Sequence, residues 1–196
     1  MIISCIGDSL TEGDYGVFGK SGIANVHTEN YPYFLSRLTG FEVRNFGKCG
    51  FTSSSYLSFY KDGNVDVKNS DKIIIMLGTN GGLNPNENVQ GNDDYKELIE
   101  LCKKDEPKAE IILCTPPHAT ENPEYSNCGY MPNIKNAAEF VRKFARDNGY
   151  KLIDIEKCPE FCAENEKLYQ PNDGLHFGKE GYMKLAQIIR DNINGI

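Results

Sequence analysis

Short apolar runs alternate with longer amphipathic stretches along the 196 residues of this chain. The runs KIIIML and EIILC are nearly continuous and rich in β-branched residues, which is typical of strands that are covered on both faces. Runs of this kind predict five strands, and these span residues 2–6, 42–45, 72–77, 110–114 and 151–155. A sheet made of such strands needs a layer of helices on each side.

Four stretches with apolar residues at helical spacing supply those layers. The predicted helices span residues 30–38, 93–104, 133–147 and 178–192. The dipeptide Asn148-Gly149 closes the third of them with a C-cap signal. Strands that alternate with helices predict a parallel sheet, and right-handed crossovers make it doubly wound. We therefore expect an α/β fold of about five strands, a three-layer α/β/α sandwich in one domain over residues 1–196.

Composition narrows the possible partners. Hydrophobic residues make up 39% and charged residues 25% of the chain, as in ordinary globular proteins. The net charge of −7 argues against a nucleic-acid partner, which usually needs a basic patch. No apolar run reaches the roughly 18 residues of a membrane span, and no signal peptide is evident. We expect a cytoplasmic protein, or a trimmed or mature secreted domain.

The seven cysteines indicate reduced thiols rather than a disulfide framework, because their number is odd and their spacing irregular. Cys5, Cys102 and Cys114 lie in apolar stretches and are predicted to be core residues. Cys158 and Cys162 have no second ligand pair at similar spacing, so no metal site is expected there.

Polar residues cluster in the loops that follow the predicted strands. In doubly wound folds the active site lies beyond the carboxyl ends of the strands. Ser9 follows the first strand, Gly50 the second and Asn80 the third, while Asp173 and His176 precede the last helix. The fold should bring these residues to one edge of the sheet.

These residue types suit acyl transfer. A serine hydroxyl is a poor nucleophile until a base removes its proton, and His176 can act as that base. Asp173 can orient the imidazole, because one tight turn places the carboxylate of an Asp-x-x-His sequence at Nδ1. The backbone N–H groups of Ser9 and Gly50 and the side-chain amide of Asn80 are candidate donors to the oxyanion.

Four sequence blocks carry a family resemblance. Ser9 lies in IGDSLTEG, Gly50 in NFGKCGFTS, Asn80 in LGTNGG, and Asp173 with His176 in NDGLHFGKEGY. In this order and at these intervals, the blocks resemble those of the GDSL esterases, also called SGNH hydrolases. Each block alone is weak, whereas the four together cover essentially the whole chain.

The resemblance implies a flavodoxin-like α/β/α sandwich and an ester hydrolase that needs neither metal nor cofactor. It implies that Ser9 is the nucleophile and His176 the base, with Asp173 as the orienting acid. It also implies that Ser9, Gly50 and Asn80 form the oxyanion hole. The family commonly has Asp after the asparagine of the third block, where this chain has Gly81.

Three further residues are candidates for the site. His118 follows the fourth predicted strand, so it is a candidate for lining the acyl or alcohol pocket. Asp154, near the end of the fifth strand, is an alternative orienting acid, although a loop anchor is the simpler interpretation. Asp8 is expected to hold the turn before Ser9.

The substrate expected from the sequence is a small ester, most simply a carbohydrate that carries an acetyl or another short acyl group. The loops are rich in side chains that suit polyhydroxylated ligands, namely Tyr15, Asn25, Asn84, Asn86, Asn92, Tyr125, Asn127 and Tyr130. A lysophospholipase or thioesterase is the alternative within the same fold. A non-catalytic, flavodoxin-like ligand-binding domain is the alternative from another class.

Overall fold

A computed structural model describes residues 1–18 and 24–193 of the chain. The central sheet has five parallel strands in the order β4-β1-β5-β6-β7. These strands are β1 (Ile2–Gly7), β4 (Glu42–Gly47), β5 (Lys72–Met76), β6 (Glu110–Cys114) and β7 (Lys151–Ile153). A separate antiparallel hairpin consists of β2 (Asp14–Phe18) and β3 (Ala24–Val26).

The helices form two layers around this sheet. They are α1 (Ser9–Glu12), α2 (Tyr31–Thr39), α3 (Ser53–Lys61), α4 (Gln90–Asp105), α5 (Met131–Asn148), α6 (Glu166–Tyr169) and α7 (Lys179–Ile193). Helices α2 and α7 cover one face of the sheet, and α3, α4 and α5 cover the other. The predicted doubly wound α/β/α sandwich is therefore confirmed. No helix in the described ranges has the length and apolar character that crossing a membrane requires.

The side chains of β5 show why its sequence is continuously apolar. Ile73 and Ile75 point into the core beneath α3, α4 and α5, whereas Ile74 and Met76 point into the core beneath α2 and α7. All four are almost completely buried. Because both faces of the strand are covered, no polar alternation is possible. The predicted core cysteines are buried in the same two clusters: Cys5, Cys102 and Cys114.

Several elements differ from the expectation based on sequence, among them the short helices α1 and α6, which were not predicted. The β2–β3 hairpin and α3 were both expected to be loop. Helix α3 begins SSS, a run more typical of a turn, but Thr52 and Ser55 form a reciprocal capping box that starts it. The fifth strand is shorter than predicted, because β7 ends at Ile153 and Ile155 opens a 3₁₀ turn.

The turn between β1 and α1 is tightly packed. A Cβ atom built on Gly7 would lie 2.0 Å from Thr11 Oγ1 and 2.7 Å from the carbonyl oxygen of Met76. Asp8, completely buried, is the N-cap of α1 and accepts a hydrogen bond from Leu10 N–H at 3.0 Å. The other carboxylate oxygen of Asp8 has no hydrogen-bond partner among the described residues. Burial raises the pKa of Asp8 to about 6.

We expect Gly7→Ala to lower the free energy of unfolding by about 2 kcal/mol or more, because the added methyl group collides with α1 and β5. Gly129→Ala is the matched control, since a Cβ there meets nothing within 4 Å. Urea denaturation of the two variants measures the difference. Equal losses of stability would show that the junction is not tightly packed.

We expect the stability of the Asp8→Asn variant, measured relative to the wild type, to be higher at neutral pH than in acid. The folded-state pKa of Asp8 lies near 6 and the ordinary value is 3.8. The native state therefore binds the proton more tightly, so the wild type loses stability as pH rises between these values. The difference between variant and wild type should grow by about 2 kcal/mol from pH 4 to pH 7. Denaturation across that range measures it, and a constant difference would contradict the assignment.

Candidate active site

Ser9 opens the short helix α1 directly after β1, at the carboxyl edge of the sheet. The helix ends after one turn at Gly13, whose N–H donates to the carbonyl of Ser9 at 2.9 Å. Leu10 and Thr11 are completely buried, so they anchor the helix on the sheet. The Ser9 hydroxyl is therefore presented from a fixed turn, and Ser9 itself is only 3% exposed.

His176 and Asp173 lie in the loop before α7, and the structure brings both to Ser9. His176 Nε2 is 2.9 Å from Ser9 Oγ, and His176 Nδ1 is 2.6 Å from Asp173 Oδ2. The second oxygen of Asp173 accepts the backbone N–H groups of Leu175 (2.9 Å) and His176 (2.8 Å). The Asp-x-x-His spacing thus folds into one turn in which the carboxylate faces Nδ1 and leaves Nε2 directed at the serine.

The Asp173 carboxylate is held by loops that the sequence did not connect to it. Asn127 Nδ2 donates to Asp173 Oδ2 at 2.9 Å, the same oxygen that faces the imidazole. Gly16 of the hairpin packs against this carboxylate so closely that a Cβ there would lie 2.4 Å from Oδ2. Asn172 Nδ2 donates to the carbonyl of Tyr15 at 2.7 Å. The β2–β3 hairpin therefore rests on the loop that carries Asp173.

The two ionisable partners shift each other's proton affinity in opposite directions. Burial disfavours the ionised form of Asp173, but the hydrogen bonds and charge of His176 outweigh it and lower the pKa of Asp173. Burial likewise opposes the charged form of His176, yet its hydrogen bond to Asp173 and the nearby carboxylates hold its pKa above 6.5. The ionised acid thus favours the protonated form of His176, which arises when the imidazole takes up a proton.

Gly50 and Asn80 lie in neighbouring loops beside Ser9's helix. Glu12 at the end of α1 accepts the N–H of Cys49 at 2.5 Å, which ties the turn containing Gly50 to that helix. Asn80 Nδ2 donates to the carbonyl of Phe51 at 3.1 Å, next to the same turn. These contacts join the first three sequence blocks at one edge of the sheet.

The glycine that replaces the family's aspartate has a local cause. Gly81 has φ +83° and Gly82 has φ +86°, so the chain turns through two consecutive left-handed residues. Aspartate adopts that conformation less readily than glycine. Glycine at position 81 therefore suits the backbone of this loop, in which the Asn80 amide donates to the Phe51 carbonyl.

The remaining candidate residues have other partners. Asp154 forms a bidentate ion pair with Arg142 at 2.8 and 2.7 Å, so Asp173 is the carboxylate that faces His176. His118 is partly exposed, and its Nε2 is 3.5 Å from Oε1 of the buried Glu166. The carbonyl of His118 accepts Gln170 Nε2 at 2.6 Å.

Comparison with known proteins places the whole arrangement in a family. Residues 5–184 match the GDSL-like lipase/acylhydrolase family. An isoamyl acetate-hydrolyzing esterase of Schizosaccharomyces pombe is 24% identical over 190 residues, which are 95% of this chain and 72% of that protein.

Solved structures with the same fold include a Mycobacterium smegmatis aryl esterase, with a TM-score of 0.75, 18% identity and 98% of each chain covered. They also include Est24, a carbohydrate acetylesterase from Sinorhizobium meliloti, with a TM-score of 0.72, 20% identity and 98% of each chain covered. The resemblance seen in the four sequence blocks is confirmed. The chain belongs to the GDSL-like lipase/acylhydrolase family and is a carboxylic ester hydrolase.

Proposed function

We propose that this hydrolase acts through a Ser9–His176–Asp173 triad and removes acetyl or another short acyl group from a carbohydrate. The observation that carries the triad is its unbroken hydrogen-bond chain, from Ser9 Oγ to His176 Nε2 at 2.9 Å and from Nδ1 to Asp173 at 2.6 Å. The three residues are 2–7% exposed, so the chain of hydrogen bonds is shielded from water.

The chemistry follows in two halves. In the first, His176 Nε2 takes the proton of Ser9 as Oγ bonds to the ester carbonyl carbon. The imidazolium then gives that proton to the alcohol oxygen as the carbon–oxygen bond breaks, which leaves the acyl group on Ser9. In the second half a water molecule loses its proton to His176 and attacks the acyl carbon. Ser9 regains the proton as the carboxylic acid departs.

Three donors are proposed to stabilise the negative oxygen of the tetrahedral intermediates. Ser9 contributes its backbone N–H from the first turn of α1, where N–H groups have no intrahelical acceptor. Gly50 contributes its backbone N–H from the turn that Glu12 holds. The amide of Asn80 has two N–H groups, and one of them is used on the Phe51 carbonyl. The other is available to the substrate.

A short acyl group is supported by the small opening of the site and by the relatives. Ser9 and His176 are 3% and 7% exposed, so only a small part of the surface of either residue is open to a substrate. A cavity of about 550 Å³ lies against Phe140 and Phe144 instead, and neither Ser9 nor His176 lines it. The yeast relative is described as hydrolysing isoamyl acetate, and Est24 as a carbohydrate acetylesterase. Acetate is the acyl group that both descriptions share.

The polar loop residues give less direct support for a carbohydrate as the alcohol part of the substrate than the sequence indicated. Four of them form hydrogen bonds within the loops, namely Tyr15, Asn84, Asn92 and Asn127. The side chain of Asn25 lies outside the described residues. Tyr125 is partly exposed and lies against the catalytic loop, where a Cβ on Gly174 would be 2.9 Å from Tyr125 Cβ. Its ring is a candidate surface for stacking on a sugar, and His118 stays a candidate for the same pocket.

We expect Ser9→Ala to reduce kcat for p-nitrophenyl acetate by about 10³-fold or more, because no other group can carry the acyl intermediate. Ser58→Ala, at an exposed serine of α3, is the matched control and should retain the wild-type rate. Steady-state kinetics of the purified proteins decides the matter. An inert wild type would favour the ligand-binding alternative, and full activity of Ser9→Ala would refute the proposed nucleophile.

The substrate assignment predicts a chain-length preference. With p-nitrophenyl esters from acetate to dodecanoate, kcat/KM should fall about tenfold or more by the octanoate, since a narrow site cannot admit the longer acyl chain. Peracetylated xylose and glucose should release acetate, measured by a coupled assay. Rising kcat/KM with chain length would point to a lipase or lysophospholipase, and a preference for acyl thioesters would point to a thioesterase.

A further inference from the structure

The hairpin places a second carboxylate at the histidine. Asp14 is the first residue of β2 and is 3% exposed. Its Oδ2 lies 3.7 Å from His176 Nε2, the nitrogen that also faces Ser9 Oγ. Asp173 is at the other nitrogen of the same ring. Two carboxylates therefore flank one imidazole, one at each nitrogen.

The position of Asp14 is fixed from several directions. Its Oδ1 accepts the N–H of Gly16, two residues further along β2, at 2.9 Å. Its backbone carbonyl accepts the hydroxyl of Tyr182, on α7, at 2.6 Å. Because one carboxylate oxygen is held by the hairpin backbone, the other is left directed at the histidine.

Three carboxylates raise the proton affinity of His176. They are Asp173 on the loop before α7, Asp14 on the hairpin and the more distant Asp8 in the turn before Ser9. At 3.7 Å the contact between Asp14 and Nε2 is longer than a normal hydrogen bond, so its effect is mainly one of charge. The charge of Asp14 interacts weakly with the neutral imidazole ring and strongly with the protonated ring.

We propose that Asp14 acts through His176 as an electrostatic residue of this site: its charge stabilises the imidazolium from the Nε2 side while His176 carries the proton taken from Ser9. This inference rests on the proposed triad. The stabilisation is larger in the transition state, where the positive charge develops, than in the resting enzyme, and it therefore accelerates the reaction. Asp173 orients the ring through Nδ1, and Asp14 contributes a negative charge near Nε2, the atom that takes up the proton.

A purely structural role for Asp14 makes a different prediction. If the residue served only to hold the backbone of β2, Asp14→Asn would preserve its function, because the amide oxygen still accepts the N–H of Gly16. The proton affinity of His176 would then not change. A role through charge requires that any neutral replacement lowers that affinity, whether or not it keeps the hydrogen bond.

The experiment compares Asp14→Asn and Asp14→Ala with the wild type, with Asp62→Asn as the control at an exposed carboxylate. The pH dependence of kcat/KM for p-nitrophenyl acetate gives the kinetic pKa of the ascending limb. NMR titration of the imidazole protons gives the pKa of His176 without reference to activity. The chain has three histidines, so His27→Gln and His118→Gln assign the signals.

We expect both Asp14 variants to lower the pKa of His176 by about one pH unit and to reduce kcat/KM several-fold on the alkaline plateau. Asp62→Asn should change neither. An unchanged His176 pKa in folded Asp14→Asn would overturn the proposal while leaving the triad intact. An inactive wild type would instead refute the proposed function, and the NMR titration would still test the contact between Asp14 and His176.

Discussion

The hydrogen bond between His176 and Ser9 joins residues that are 167 positions apart, so it can form only if both ends of the chain are placed accurately. Ser9 is placed by β1, the strand paired with β4 on one side and β5 on the other. His176 is placed by α7, which packs with α2 on the sheet. The Tyr182 hydroxyl, bonded to the Asp14 carbonyl, connects α7 to the hairpin as well. The sheet and the helices that pack on it hold Ser9 and His176 at the distance that this hydrogen bond requires.

The electrostatics of the site depend on burial as much as on pairing. Asp173 gains two backbone N–H donors, an amide donor and the imidazole, so it stays ionised although it is buried. Asp8 has fewer partners, and burial therefore raises its pKa to about 6. Both carboxylates flank the same active-site turn, yet their surroundings move their pKa values in opposite directions. A buried charge near Ser9 is thus kept at some loss of stability.

The sequence predicted those features whose local residue pattern has a direct physical cause. The continuous apolar runs of β5 and β6 predicted strands covered on both faces, and the strand–helix alternation predicted their parallel order. The spacing of Asp173 and His176 predicted a contact within one turn. The hairpin was missed, because DYGVF is short and its pairing partner, Ala24–Val26, is only three residues long. The Asn127 and Asp14 contacts were also missed, since irregular loops converge through tertiary packing that no periodicity in the sequence records.

The central claim is that Ser9 is a nucleophile activated by His176. A fluorophosphonate probe tests it directly, because the probe bonds irreversibly to an activated serine oxygen with loss of fluoride. Intact-mass and peptide mass spectrometry should show one probe per chain, attached to Ser9. Labelling of His176→Gln should be slower by about two orders of magnitude or more, since the base is gone. Labelling at another residue, or equal rates in wild type and His176→Gln, would contradict the account.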